Sequence, residues 1–294
     1  MPAGGRPTVR SRRLGSALKR LRDAAGVDQS AAAEAIMKSV TKVSRLESGQ
    51  ASASALEVRT LLDRYGVTDE AERGRLENLA RSSNQRGWWL DHQETLRPDY
   101  ADHITLESDS TYIRSWEPAL IPGLLQTPEY AESVIAAGPT FIAHDRVVEL
   151  VKVRQERQKR MEEGGVNFTA IVWDPAISAL LHDRDVATGQ LARLLEAGQR
   201  QNVTLQILPG SASKAAGMSG PFVGFSFGVE PVVEAVTVRT VTNTTVVEDP
   251  KDLAVYTNVF DQLRSAAMSP EESADHLRKI LNKAESPSEM EEKP

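Results

Sequence analysis

The sequence predicts an α+β chain: an all-α domain of five helices, followed by a mixed α/β domain with a small sheet. Three observations carry this reading. Apolar residues recur at helical spacing early in the chain, with Leu14, Leu18 and Leu21 in one stripe and Leu56, Leu61, Leu62 and Tyr65 in another. Short β-branched runs closed by turn residues begin only at Phe168. The charge also changes sign along the chain. Residues 1–64 hold 12 Lys+Arg and 6 Asp+Glu, a net of +6, whereas residues 65–294 hold 23 and 35, a net of −12.

The first element, residues 1–12, reads as a basic flexible arm. Arg6, Arg10, Arg12 and Arg13 lie in or beside a Gly/Pro/Ser-containing stretch. Such an arm can follow phosphates or enter a minor groove, and equally can be a solvated tail. Residues 13–82 form the helical domain. Within it DQSAAAEAI (28–36) and SVTKVSRLESGQ (39–50) read as two short helices joined by a tight turn. Ser39 is placed to cap the second helix, Val43 and Leu46 face inward, and Gly49 stops it. Val40, Thr41, Lys42, Ser44 and Arg45 then look outward. A short helix with this face fits a DNA major groove, because its side chains donate to base edges and phosphates without bulk. The plainer alternative is a small helical bundle with a polar surface. An amphipathic segment from Asp69 to Ala80 closes the domain.

This two-helix stretch resembles the Cro/CI-like (XRE) helix-turn-helix family, whose fold is lambda-repressor-like. Gln29 stands at its usual place at the start of the first of the two helices. Met37 replaces a common turn glycine and Ala32 a common leucine, which predicts a looser or differently packed turn. The resemblance implies a regulator that binds double-stranded DNA through Gln29, Ser39, Val40, Thr41, Lys42, Ser44 and Arg45, helped by Arg12 and Arg13. One head of this size contacts too little DNA for specific binding, so a homodimer on an inverted-repeat operator is expected. The dimer contact is expected in residues 83–282, since two basic heads repel.

Residues 83–105 read as a connecting segment, opened by the small polar RSSNQRG (81–87) and continued by Trp88-Trp89, which needs burial. A second domain spans 106–282, and the acidic, proline-bearing residues 283–294 read as a disordered tail. Strands are expected at Phe168–Trp173, Val203–Leu208, Phe222–Phe227, Val232–Arg239 and Thr244–Glu248. Helices are expected at Pro128–Ala137, Asp145–Glu162, Thr188–Arg200, Pro250–Met268 and Pro270–Asn282. A helix between the first two strands permits a parallel βαβ crossover.

The most distinctive segment is WEPALIPGLLQTPEYA (116–131), in which Pro118, Pro122 and Pro128 alternate with apolar residues. Together with Glu107, RQERQKR (154–160), GQLARLLEAGQRQNVTLQILP (189–209), GPFVGFSF (220–227) and DPKDLAVYTNVFDQLRSAAMSPEES (249–273), it resembles the actinobacterial helix-turn-helix regulators with an antitoxin-like "Scr" C-terminal domain. The chain departs from that group at VWDPAI (172–177), where a glutamate is common. The resemblance implies a small acidic protein partner encoded nearby. Trp116, Leu125, Gln126 and Tyr130, with Leu124, compose a candidate partner patch; Trp116 and Leu124 read more readily as core. Two other readings stay open. A buried polar pocket beside Trp116 and Arg154 would favour small-molecule sensing, and an unmatched cluster of buried carboxylates would favour an enzyme.

Other chemistry finds little footing. The chain has no cysteine, so thiolate ligands and nucleophiles are absent. No apolar run reaches the roughly 18–20 residues that span a bilayer, and the start lacks a signal-peptide core, so a cytoplasmic protein is expected, nucleoid-associated when bound, with no membrane partner. His92, His103, His144, His182 and His276 never fall at metal-ligand spacing. No nucleophile elbow, Walker loop or dinucleotide fingerprint occurs. No cofactor, metal or catalytic residue is expected. Arg154 and Arg157, three apart on a helix, can clamp an anion or bridge to Glu149 or Glu156, with bridging preferred. Glu107 and Asp109 read as one face of a strand.

Overall fold

The structure, a computed structural model, describes residues 7–83, 87–92, 94–138 and 142–285. Arg6, part of the RSSNQRG connector and most of the acidic tail lie outside the described residues. The chain divides into two units, Met1–Leu90 and Asp91–Pro294.

The first unit has five helices: α1 (Val9–Ala24), α2 (Gln29–Ala35), α3 (Val40–Glu47), α4 (Ala55–Arg64) and α5 (Glu70–Ser82). Each begins at a short polar residue whose oxygen accepts an otherwise unpaired backbone N–H, namely Thr8, Asp28, Ser39, Ser54 and Asp69. At α4 the cap is reciprocal, since Glu57 reaches back to Ser54. The core gathers Leu14 and Leu18 of α1, Val43 and Leu46 of α3, Val58, Leu61 and Leu62 of α4, and Leu76 of α5. Leu56 is 70 % exposed and Val58 takes the inward position, because 58, 61, 62 and 65 follow the helical repeat and 56 does not.

Residues 9–12, expected as part of a flexible arm, are helical. Helix α1 already begins at Val9, so Arg10, Arg12 and Arg13 are helical, and Arg10 and Arg13 are buried. Arg10 donates to the Ser82 carbonyl and lies over the Trp89 ring. The physical cause is Thr8, which caps α1 and starts the helix at the following residue.

The second unit contains α6 (Pro98–Asp109), β1 (Tyr112–Glu117), α7 (Pro128–Ala136), α8 (His144–Gly164), β2 (Asn167–Trp173), α9 (Asp174–Ser178), α10 (Arg184–Gly198) and β3 (Val203–Leu208). It continues with α11 (Ser213–Ala216), β4 (Phe222–Ser226), β5 (Ala235–Arg239), β6 (Thr244–Val247), α12 (Pro250–Ala266) and α13 (Pro270–Glu285). One six-stranded sheet has the order β3-β2-β1-β4-β5-β6. Strands β1, β2 and β3 are parallel, joined by helical crossovers, and β4, β5 and β6 add antiparallel pairs.

Two sequence expectations are corrected here. Glu107 and Asp109 belong to helix α6, not to a strand; Pro98 at the first helical turn sets its start, so α6 begins inside the stretch read as a connector. Tyr112–Glu117, not foreseen as a strand, is an interior strand of the sheet, paired with β2 and β4. Its residues alternate between faces. Trp116 packs with Phe222, Phe260 and Leu263, while Ile113, Ser115 and Glu117 line a cavity on the opposite face.

Candidate functional site

Two places carry chemistry, one in each unit. In the first unit, α3 buries Val43 and Leu46, each 1 % exposed, and leaves Ser39, Val40, Thr41, Ser44 and Arg45 exposed, with Lys42 half-buried. The helix is held from several sides. Its last turn ends in paired bonds, Gln50 N–H to the Arg45 carbonyl at 2.7 Å and Gly49 N–H to the Leu46 carbonyl at 3.0 Å, a Schellman closure with Gly49 at φ 73°. A Cβ on Gly49 would also lie 2.8 Å from Arg12 Cα, so glycine is required there by conformation and by space.

The turn before α3 closes in the same way. Met37 N–H donates to the Glu34 carbonyl at 3.0 Å and Lys38 N–H to the Ala33 carbonyl at 2.9 Å. Met37 takes the left-handed conformation, φ 52°, so the turn keeps the backbone that a glycine would supply. Its side chain is 89 % exposed and packs against no core.

A charged network fixes how α1, α2 and α3 meet. Arg22 donates from Nε and Nη2 to the two oxygens of Glu47, at 2.5 and 3.1 Å, and from Nη1 to the Val27 carbonyl at 2.8 Å. Gln29 donates its amide to Glu47 Oε2 at 2.8 Å. Burial pushes the Glu47 carboxyl up, but Arg22 and Gln29 hold it below its ordinary value. Gln29, read as a DNA contact, is therefore tied inward. Lys42 donates to the Ser52 carbonyl at 2.6 Å, and of the α3 cations Arg45 keeps the more open head group. The Arg22–Glu47 pair was missed by sequence reasoning, because its partners stand 25 residues apart.

In the second unit the segment proposed for a partner turns inward. Trp116 and Leu125 are 0 % exposed, Gln126 4 % and Tyr130 9 %. The turn from Ile121 to Thr127 has no ladder to satisfy its backbone, and side chains do this instead. Gln126 donates to the Ile121 carbonyl, Gln158 to the Gly123 and Gln126 carbonyls, and Gln190 to the Leu125 carbonyl. The Tyr130 hydroxyl accepts the Ile121 N–H at 3.3 Å. The partner-patch reading of Trp116, Leu125, Gln126 and Tyr130 is thus corrected: these residues build and brace the interior.

Behind this turn lies a cavity of about 70 Å³, framed by α6, β1, α8 and β5. Glu107 of α6 and Arg157 of α8 meet there in a buried bidentate pair, with Arg157 Nε to Oε1 at 2.8 Å and Nη2 to Oε2 at 2.5 Å. Arg157 also donates to the Tyr100 hydroxyl and stacks over that ring. Burial alone would raise the Glu107 pKa, but Arg157 and His103 hold it at about 2. Burial also lowers the His103 pKa, and His103 Nδ1 lies 2.9 Å from the Thr237 hydroxyl. Thr237, His103 and Glu107 thus form a line, yet Arg157 occupies both carboxylate oxygens and His103 Nε2 stands 3.6 Å from Glu107. A base oriented by a free carboxylate needs a different arrangement.

Arg154 behaves differently from Arg157. It donates to Gln126 Oε1, has a buried Nε without a partner, and has no carboxylate within ion-pair distance among the described residues. Neither arginine bridges to Glu149 or Glu156: Glu149 meets His92 and Lys152, and Glu156 meets Arg160. The signal for Tyr100, His103 and Glu107 was present as a Y-x-x-H-x-x-x-E spacing, one face of a helix once Pro98 is read as its start. At the VWDPAI departure, Asp174 lies 2.7 Å from His276 Nε2 of α13. No group of His, Asp or Glu fit to hold a metal occurs among the described residues, and no helix there is long and apolar enough to cross a membrane.

Residues 100–279 match a family described as Domain of unknown function (DUF5753), and residues 13–76 match a family described as Helix-turn-helix domain. No curated protein and no solved structure matches the chain.

Proposed function

The chain belongs to the DUF5753 family, with a helix-turn-helix domain in its first unit, and from that pairing we propose that it is a sequence-specific transcription regulator that reads DNA with α3. The helix-turn-helix domain supports a DNA-binding regulator; the details are our reading. The observation that carries it is the division of α3 into a buried side, Val43 and Leu46, and an exposed face of Ser39, Thr41, Ser44 and Arg45. That face is small, rich in donors and carried on a helix capped at both ends, the properties required to enter a major groove. Lys42 is the phosphate contact at its edge, and Arg12 flanks the duplex. The chain acts as a homodimer on an inverted repeat, which supplies the contact area one head lacks. A small acidic protein partner, where one binds, uses a surface other than the internal Pro122–Tyr130 segment.

Footprinting of the full chain on sites selected from random duplexes tests this. Two protected half-sites about one helical turn apart support it, as does loss of binding in Thr41→Glu/Ser44→Glu with unchanged unfolding. Protection that survives that double substitution removes α3 from the groove.

A further inference from the structure

The cavity beside Arg154 is more than a void in the core. Its volume, about 70 Å³, exceeds several-fold the roughly 10–15 Å³ that one water requires. A second cavity of about 580 Å³ adjoins it, and Tyr100 and Arg154 line both. The outer one has walls of Ile135, Ile142 and Leu150 and three guanidiniums, Arg97, Arg146 and Arg154, with no carboxylate among its lining residues. The inner one is lined by three guanidiniums, Arg154, Arg157 and Arg239, against two carboxylates, Glu107 and Glu117. Four of those five charges are matched within the protein, Glu107 with Arg157 and Glu117 with Arg239 at 3.2 Å.

The unmatched charge is Arg154. Of its donors, one goes to Gln126, and the buried Nε has no protein partner. Buried polar groups are nearly always paired, and a charged donor more than most. A guanidinium edge prefers a planar anion that takes two parallel bonds. Ser115, 3 % exposed, lines the inner cavity and makes no side-chain hydrogen bond among the described residues; its hydroxyl is a further donor. Leu124, Val134 and Phe168 supply apolar wall, beside the polar His103, Gln126, Thr237 and Thr244.

We propose that the second unit binds a small organic monoanion, a carboxylate carried on an apolar body, with the carboxylate on Arg154 where the two cavities meet. The site lies on the face of β1 opposite Trp116 and beside Arg154. The site does not depend on DNA reading by α3, and either can fail alone.

Calorimetric titration of the full chain with straight-chain carboxylates from acetate to octanoate, and with hexanamide and hexylamine, tests the site. We expect saturable one-to-one binding of hexanoate and at least tenfold weaker binding of the neutral and cationic analogues. Arg154→Gln should weaken hexanoate at least tenfold without lowering the unfolding temperature, because the variant removes a half-buried charge with no ion-pair partner among the described residues. Arg154→Lys, which retains the charge, should keep measurable hexanoate binding, and Val134→Phe should narrow the inner cavity and weaken long chains more than acetate. No saturable binding by any carboxylate in the series, a preference for hexylamine, or wild-type affinity in Arg154→Gln would each overturn the proposal.

Discussion

Gly15 of α1 and Leu46 of α3 pack backbone against backbone: a Cβ on Gly15 would fall inside contact distance of the Leu46 carbonyl oxygen and 2.7 Å from that of Glu47. Glycine at this point sets the distance between α1 and the helix that presents Thr41, Ser44 and Arg45. The obstacle is backbone, which does not move aside as a flexible side chain does.

Gly15→Ala should therefore destabilise the helical unit by about 2–3 kcal/mol, the upper range for overpacking. It should also displace α3 and weaken specific DNA binding beyond what the stability loss explains. Denaturant unfolding alongside DNA titration measures both, and an alanine variant with wild-type values would show that the helices separate freely.

Arg45 and Lys42 should separate by mechanism. Arg45 keeps an exposed head group, with one long 3.4 Å bond to the Gln50 carbonyl, so Arg45→Ala should lose roughly 1–3 kcal/mol and relax one base position. Lys42 donates to the Ser52 carbonyl; on the proposed reading it exchanges that bond for a phosphate, so Lys42→Ala should weaken all sequences alike and reduce the salt slope by about one. Titrations at several salt concentrations distinguish the two, and unchanged affinity in both variants contradicts the assignment.

Met37→Gly should stabilise the chain. A side chain held at φ 52° and 89 % exposed has strain and no packing to offset it. Relief of about 1–3 kcal/mol of left-handed strain, less the roughly 0.5–1 kcal/mol entropy cost of glycine, leaves a gain of about 0–2.5 kcal/mol. A lower melting temperature would mean that Met37 makes a contact in solution.

The Glu107–Arg157 pair gives a pH signature. Glu107 is held at about 2 in the folded chain, against an ordinary 4.5. The contribution is fully present above the ordinary value and is lost as pH falls from there through about 2. Its size is roughly 3 kcal/mol. Glu107→Gln should be less stable than wild type at neutral pH, since Arg157 is left without its charge partner, and the difference should shrink as pH falls between about 4.5 and 2. A gap between the two proteins that stays constant with pH would place the ionised carboxylate elsewhere.

What the sequence determined by itself is local. Asp28, Ser39 and Asp69 mark helix starts and Gly49 a stop, because each acts on backbone groups within about four residues. Strands β2 and β3, with a helix between them, are legible for the same reason: β-branched runs meet turn residues at Asp174-Pro175 and Pro209-Gly210. Strand β1 was not legible. It alternates Tyr112, Arg114 and Trp116 with Ile113, Ser115 and Glu117, and both sets are largely covered although neither is uniformly apolar. Only the tertiary structure turned Gln126 and Tyr130 inward, since the carbonyls and N–H groups they satisfy belong to a turn whose need is invisible until it is buried. It also decided the charged site. Glu107 and Arg157 are 50 residues apart, and nothing in either segment specifies the other. They pair, and Arg154 does not, because α6 and α8 meet along one particular face of each helix.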